Sequence, residues 1–479
     1  MRDSIRAPPR GFVYGGVISV RRPTANRNLT PVGARSGNNY LSALKKLGAE
    51  IWLGHERIRD VTTHPAFASR ARATASLYDM QIENPEAMTF RTEDGARAGL
   101  SFIEPRSAAQ LRKRDKMIKT WADYTCGFPP DTPELVNVSL AAMDAAHQFF
   151  GESDSRLGDN LQRYYREARD HDWRGTEVLP DPGPSATGLG VAVAAQTLRT
   201  VERTDAGLVV SGSRRLPPGA PLCEELLVLP STPLEAGPAS EQLANLFAIP
   251  CNTRGVRIVC REIFHPERRP SDHPLGRRFD QLECIVVFDR VVVPWERVFL
   301  SGDVARCNAE PSSTNSALHR AHLVTLHNLA TAEFLLGLAA GIAHDTAGKS
   351  SQGVGERLAQ MIAITESLRA YLDDAQAGAT ADRWGVFVPA RAETARGPLA
   401  GLYRRLVEIA GLCDELPANP DQPVTMHELA RMLAGSFSDG PDAVSQGPAL
   451  DFRAGTASLE DTDLKPLIDR VAAFLARAD

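Results

Sequence analysis

Residues 317–345, ALHRAHLVTLHNLATAEFLLGLAAGIAHD, read as one long helix that is apolar on nearly every face. Such a helix is stable only where other helices surround it, so the chain must build a bundle or an oligomer centre around this segment. The pattern predicts that it forms the interface of a homo-oligomer, a dimer or tetramer, through the C-terminal helices. Its uncharged run, Phe334 to Ala343, is about half of the ~20 residues a membrane-spanning helix requires, so no membrane span is expected. The next stretch, ERLAQMIAITESLRAYLDDAQ, places Leu358, Ile362, Leu368 and Leu372 near one stripe, which predicts a helical hairpin with the first.

Upstream, the pattern is different. NYLSALKKLG from Asn39, SAAQLRKRDKMIKTWADYT, ELVNVSLAAMDAAHQFF and RLGDNLQRYYREARDHD are helical in spacing, with Gly48 stopping the first. Between about 172 and 310 the period shortens to β-rich runs: TLRTVERTDAGLVVSGS, EELLVLPST, NLFAIPC, GVRIVCREIF and CIVVFDRVVVP. DAG between two alternating runs predicts a hairpin. Helix, then β, then helix in one chain implies an α+β architecture. We expect a basic, disordered extension at 1–36, which carries seven arginines and one acid, then a helical domain at 37–172, a mostly antiparallel β domain at 173–310, and a helical bundle at 311–479.

The composition narrows the chemistry. A formal charge of −5 gives no general attraction to nucleic acid or anionic lipid. The seven cysteines are scattered and never spaced as CxxC, which argues for reduced thiols in a cytoplasmic protein rather than disulfides or a zinc knuckle. No GxGxxG follows a strand, and GxxxxGK[ST], GxSxG and HExxH are absent. His319, His322 and His327 share the long helix, but without a carboxylate at ligand spacing before Glu333 they read as polar residues lining a helix interface, and no metal site is assigned. Asp289, Trp295, Glu296 and Arg297 in CIVVFDRVVVPWERVFL predict a tight hydrogen-bonded corner. HDWRGTEVLPDPGP (171–184) sets one carboxylate, Glu177, between a Trp and three prolines, with no evident partner.

The segment DHPLGRRFDQLECIVVFDRVVVPWERVFLSGDVARCN (272–308) resembles the signature of the 4-hydroxyphenylacetate 3-hydroxylase family, the large oxygenase components of two-component flavin monooxygenases. DVTTHPAF, SFIEPRSAAQLRKR, KTWAD, NLQRYYREARDHD, EELLVLPST and FAIPCNTRGVRIVCRE resemble further family blocks in order, over roughly 38–380. The resemblance implies an acyl-CoA dehydrogenase-like fold, usually tetrameric. It also implies reduced FAD supplied by a separate flavin reductase, oxygen as co-substrate, and a small phenolic substrate held by an Arg, a Tyr and a His.

Carried over residue by residue, the family pattern departs at those three groups. The Arg position falls on Asp131, the Tyr position on Leu135 and the His position on Glu177, while Thr132, Pro133 and Asn137 fit. The resemblance thus makes Glu177 and Asp131 the candidate catalytic residues and Thr132, Leu135, Ser231 and Thr232 the candidate substrate contacts. Glu177, Val178, Leu179, Pro218 and Gly219 are the candidate flavin contacts. The family's other flavin segments are not recognisable in GPSATGLG (183–190), and its C-terminal one is shortened to AGSFSDGPDAV (434–444). Two anionic carboxylates would repel a phenolate and suit a cationic or nitrogen-bearing substrate, or general acid/base work. Three readings follow: a reduced-flavin monooxygenase of secondary metabolism with an altered small aromatic or nitrogen-bearing substrate; a redox-neutral isomerase, cyclase or dehydratase on the same scaffold; and a catalytically silent family member.

Overall fold

The structure is a computed structural model and describes residues 33–128, 132–178, 197–217, 219–230, 233–260, 284–345, 352–390 and 464–476. The principal helices are α1 (Gly37–Leu47), α2 (Pro65–Glu83), α3 (Ala108–Tyr124), α4 (Pro133–Ala145), α5 (Ser155–His171), α6 (Val304–Ser313), α7 (Ser316–Asp345), α8 (Gln352–Ala377) and α9 (Lys465–Ala476). The strands are β1 (Ile51–Leu53), β2 (Glu56–Ile58), β3 (Thr89–Arg91), β4 (Arg97–Gly99), β5 (Gly175–Val178), β6 (Arg199–Thr204), β7 (Gly207–Leu216), β8 (Glu225–Val228), β9 (Asn245–Pro250), β10 (Val256–Cys260), β11 (Cys284–Pro294), β12 (Val298–Ser301), β13 (Thr380–Ala381) and β14 (Phe387–Val388).

Local signals set the element ends. Ser36 accepts a hydrogen bond from the Asn39 amide at the start of α1, and Gly48 closes it in the left-handed region at φ 67°. The DAG reading holds: Asp205 and Ala206 form the turn between β6 and β7, with Thr204 opposite Gly207. Gly207 has φ 151°, and a Cβ there would lie 1.9 Å from the Val293 carbonyl oxygen, so only glycine lets β11 approach.

Ten of the strands build two sheets. Six run in the order β2-β1-β10-β11-β7-β6, and four in the order β12-β9-β8-β5. Alternating residues of both, among them Leu226, Val228, Phe247 and Ile249 from one and Val210, Val256, Val286 and Phe288 from the other, bury into a common core with Tyr40, Phe67 and Tyr78 of α1 and α2. The sheets are not purely antiparallel, since β1 pairs parallel with β10 and β5 with β8. β1 and β2 come from the segment read as helical. They were missed because three-residue strands carry almost no periodicity, and pairing to β10 decides their conformation.

The expected corner after β11 is present. Trp295 Nε1 donates to the Thr204 carbonyl at 2.9 Å, and Asn160 Nδ2 donates to the Trp295 carbonyl at 2.8 Å. Arg297 bonds Glu225 at 3.0 Å and lies over the Tyr164 ring at 5.0 Å. Burial, opposed by Arg297, pushes the Glu225 carboxyl up to about 7.

The long apolar helix α7 is covered by its own chain. α3, α4, α8 and α9 pack around it, and Phe334, Leu335, Leu338, Ala339 and Ile342 share one core with Leu358, Ile362, Leu368 and Leu372 of α8. Among the described residues it is the single helix long and apolar enough to cross a membrane, and it is mostly buried inside the protein. Its apolar faces therefore do not require a second subunit, so they supply no reason to place the oligomer interface there. The helix boundary near 310 is also softer than the sequence suggested, because Pro311 lies inside α6.

Candidate active site

Glu177 lies on β5, the outer strand of the four-stranded sheet, where the helical layer passes into the β layers. Its side chain is 3% exposed. A carboxylate so placed needs compensation, and two helices supply it. Ser139 Oγ of α4 donates to Oε1 at 3.0 Å, and Arg320 Nη1 of α7 donates to Oε2 at 2.6 Å. The acid that looked unpartnered in sequence is thus one half of an ion pair closed across 143 residues.

Arg320 acts electrostatically on a second acid. Glu310, at the end of α6, accepts from Ser316 Oγ at 2.9 Å and Thr314 Oγ1 at 3.0 Å. Burial raises its carboxyl above the usual range; these hydroxyls and Arg320 pull it down, and Glu177 adds to the rise. One guanidinium therefore bonds one carboxylate and acts electrostatically on a second near the start of α7, whose amide dipoles also favour negative charge. The Arg320 side chain is 31% exposed, and its one hydrogen bond to a described residue goes to Glu177, leaving further N–H donors for a ligand.

The remaining candidates divide. Thr132 is the N-cap of α4, yet its hydroxyl does not cap the helix; it donates to Glu134 Oε1 at 2.8 Å, where His327 Nε2 also bonds at 2.8 Å. Leu135 packs partly buried against the bundle core. Val178 alternates to the face opposite Glu177 and its side chain is buried between the sheets, so only its backbone could meet a cofactor. Gly219 precedes the short turn Ala220–Leu222, and its carbonyl takes the Leu222 amide at 2.9 Å. Asp131, Leu179, Pro218, Ser231 and Thr232 lie outside the described residues, as do 183–190 and 434–444.

The three histidines are partnered within the bundle. Arg114 Nη2 donates to His319 Nδ1 at 3.0 Å, and His322 Nε2 and Gln376 both meet Asp115 Oδ2 at 2.8 Å. Burial, then Arg114 and His322, holds the His319 imidazole well below its usual value, which makes it a neutral acceptor. Among the described residues no group of three or more His, Cys, Asp or Glu side chains could hold a metal ion.

Sequence reasoning missed Arg320, Ser139 and Glu310. The one signal was that Arg320 is the single Arg or Lys in the apolar stretch 317–345, a charge that a buried helix carries only with a partner.

A helical layer, two packed sheets and a helical bundle, with a part-buried carboxylate–guanidinium pair where the three meet, define an α+β protein with its candidate site at the junction of the layers. The chain belongs to the 4-hydroxyphenylacetate 3-hydroxylase family: the family's N-terminal description matches residues 36–300 and its C-terminal description residues 308–413. It is 35% identical over 423 residues, 86% of each chain, to the 4-hydroxyphenylacetate 3-monooxygenase oxygenase component of Geobacillus sp. (strain PA-9). It is 36% identical over 382 residues, 78% of each, to that of Thermus thermophilus. A crystal structure of an oxygenase component of 4-hydroxyphenylacetate 3-monooxygenase, complexed with FAD and 4-hydroxyphenylacetate, superposes with a TM-score of 0.72 at 33% identity, covering 92% of this chain and 88% of that one.

Proposed function

We propose that this chain is the oxygenase component of a two-component monooxygenase that uses reduced FAD and O2 to hydroxylate a small aromatic substrate, phenolic or nitrogen-bearing. The observation that carries the reading is the Glu177–Arg320 pair, formed by the residue that the family resemblance sets at its pocket histidine, within a chain that matches the family along most of its length. The residues present fit a flavin on donor chemistry: a part-exposed guanidinium with unused N–H groups suits the acceptor-rich edge of a planar ring. Arg320, Glu177 and the backbone around Val178 and Gly219 would hold it. When bound, reduced FAD supplies the electrons that activate oxygen.

The pair also changes the substrate argument. An isolated Glu177 anion would repel a phenolate, but Arg320 neutralises it, so the ion pair presents no net charge and a phenol is admissible. Arg320 can then orient an oxyanion or ring oxygen with its free donors, while Glu177 fixes the guanidinium and Ser139 fixes Glu177. A separate flavin reductase is the partner this reading implies. Asp131, Ser231 and Thr232 remain proposals from the family pattern.

Anaerobic titration of the purified full chain with reduced FAD is the test, followed by oxygen, with 4-hydroxyphenylacetate and tyramine as probes and the product read by mass spectrometry. Binding at micromolar concentration and gain of one oxygen in a probe are expected. Failure to bind reduced FAD sinks the reading. Turnover of a substrate that persists without flavin would establish the redox-neutral acid/base enzyme instead.

A further inference from the structure

We propose that Cys260 and Cys284 are a peroxide-oxidation site that closes to a disulfide. The inference rests on geometry and stands whatever the enzyme's substrate. The two residues are directly opposite in the β10–β11 ladder, and their sulfur atoms are 3.4 Å apart.

The ladder pattern places them favourably. The Ile258 amide donates to the Glu50 carbonyl and the Cys260 carbonyl accepts from Gly54, so these alternate residues of β10 turn their backbone toward β1. On the β11 side, Asp289 donates to Gly255 instead. Counting in twos, Cys260 and Cys284 form a non-hydrogen-bonded pair, the type in which opposed Cα atoms approach to about 4.5 Å. That spacing lies inside the range a disulfide spans. Both side chains point to the same buried face as Ile258 and Val286, so neither needs to cross the sheet to reach the other.

Both residues are buried, so the oxidant must be small and neutral enough to enter during local opening of the fold. Hydrogen peroxide is that oxidant. One thiolate sulfur attacks a peroxide oxygen, the O–O bond breaks, and one oxygen leaves as water with the thiol proton, giving a sulfenic acid. The second thiol attacks that sulfur, the S–O bond breaks, and a second water leaves as the S–S bond forms. Overall two thiols and one peroxide give one disulfide and two waters. The bond would join the two ends of residues 261–283 covalently.

The experiment treats the full chain with stoichiometric hydrogen peroxide, blocks remaining thiols with iodoacetamide under denaturing conditions, and analyses a non-reduced digest by mass spectrometry. A linked peptide pair containing Cys260 and Cys284, lighter by two hydrogens and separated by dithiothreitol, is expected, with the other cysteines alkylated. Cys260→Ser should abolish the linked pair and leave Cys284 alkylated or over-oxidised; Cys284→Ser serves the same purpose if the first variant is insoluble. A higher thermal midpoint for the oxidised wild type, lost on reduction, is the second readout. Separate alkylation of both cysteines after peroxide, or linkage of either to a different thiol, overturns the proposal.

Discussion

Glu177 shows how one contact changes a residue's meaning. In sequence it is an acid where the family pattern has histidine; in the fold it is a carboxylate with one hydroxyl and one guanidinium donor. The two halves of the pair are unequal. Arg320→Ala would strand a nearly fully buried carboxylate, and we expect a loss of about 3 kcal/mol in urea unfolding. Glu177→Gln leaves a guanidinium that water can reach, and the expected loss is below about 1 kcal/mol. Equal losses would show that the pair is worth the same from either side and contradict the burial asymmetry. Asp144 gives a pH test at the same scale. Burial, followed by its hydrogen bond to Glu104, raises its carboxyl to about 9. A folded-state value above the unfolded one means the folded protein keeps a proton that the unfolded chain releases, so this contribution is complete in acid and lost as pH rises toward 9. Asp144→Asn should flatten the decline in urea midpoint between neutral and alkaline pH, and an unchanged slope would reject the assignment.

Elements differ in how much of their placement is local. α1 and the β6–β7 hairpin carry their own caps and turn residues, and both were legible. α9 is different, because its amphipathic pattern says that it docks but not where. Gly337 of α7 decides the place: a Cβ there would lie 2.5 Å from the Leu467 carbonyl oxygen. Lys119, Arg369 and Arg470 converge on Glu333 beside that contact, Arg470 bonding it at 3.0 Å. Gly337→Val should displace α9 while leaving the sheets intact, at a cost of about 2 kcal/mol. Hydrogen exchange checks this directly: faster exchange confined to 465–476 is the expected outcome, and unchanged protection there would show that the helix docks without this close approach.

At the scale of the molecule, the N-terminal boundary is where structure overrides composition. Residues up to 36 read as a basic extension, but Arg35 is 6% exposed. Its guanidinium meets both oxygens of Glu224, at 3.0 and 2.5 Å, and lies over the Tyr78 ring at 4.8 Å. Its amide donates to Asp172 at 3.1 Å. One arginine thereby ties the chain start to α2, to the end of α5 and to the β layers. A chain begun at residue 37 should be less stable than one begun at residue 33 by about 3–5 kcal/mol, since it leaves Glu224 buried beside one remaining donor, the Arg174 amide. Differential scanning calorimetry of the two chains measures it, and coincident midpoints would place the boundary back at 36.

By itself the sequence determined the helix, β, helix order, the central helix, the hairpin, the corner at Trp295 and the family. Each of these is written in short-range periodicity, turn chemistry or ordered motif blocks, which need no knowledge of what lies opposite. Only the tertiary structure decided that Glu177 is neutralised by Arg320, that β1 joins the sheet beside β10, that Arg35 belongs to the fold, and that Cys260 faces Cys284. Each of these joins residues that are distant along the chain. A pairwise charge, ladder or sulfur contact of that kind leaves no periodic trace, because its energy depends on the partner's position and not on its neighbours in sequence.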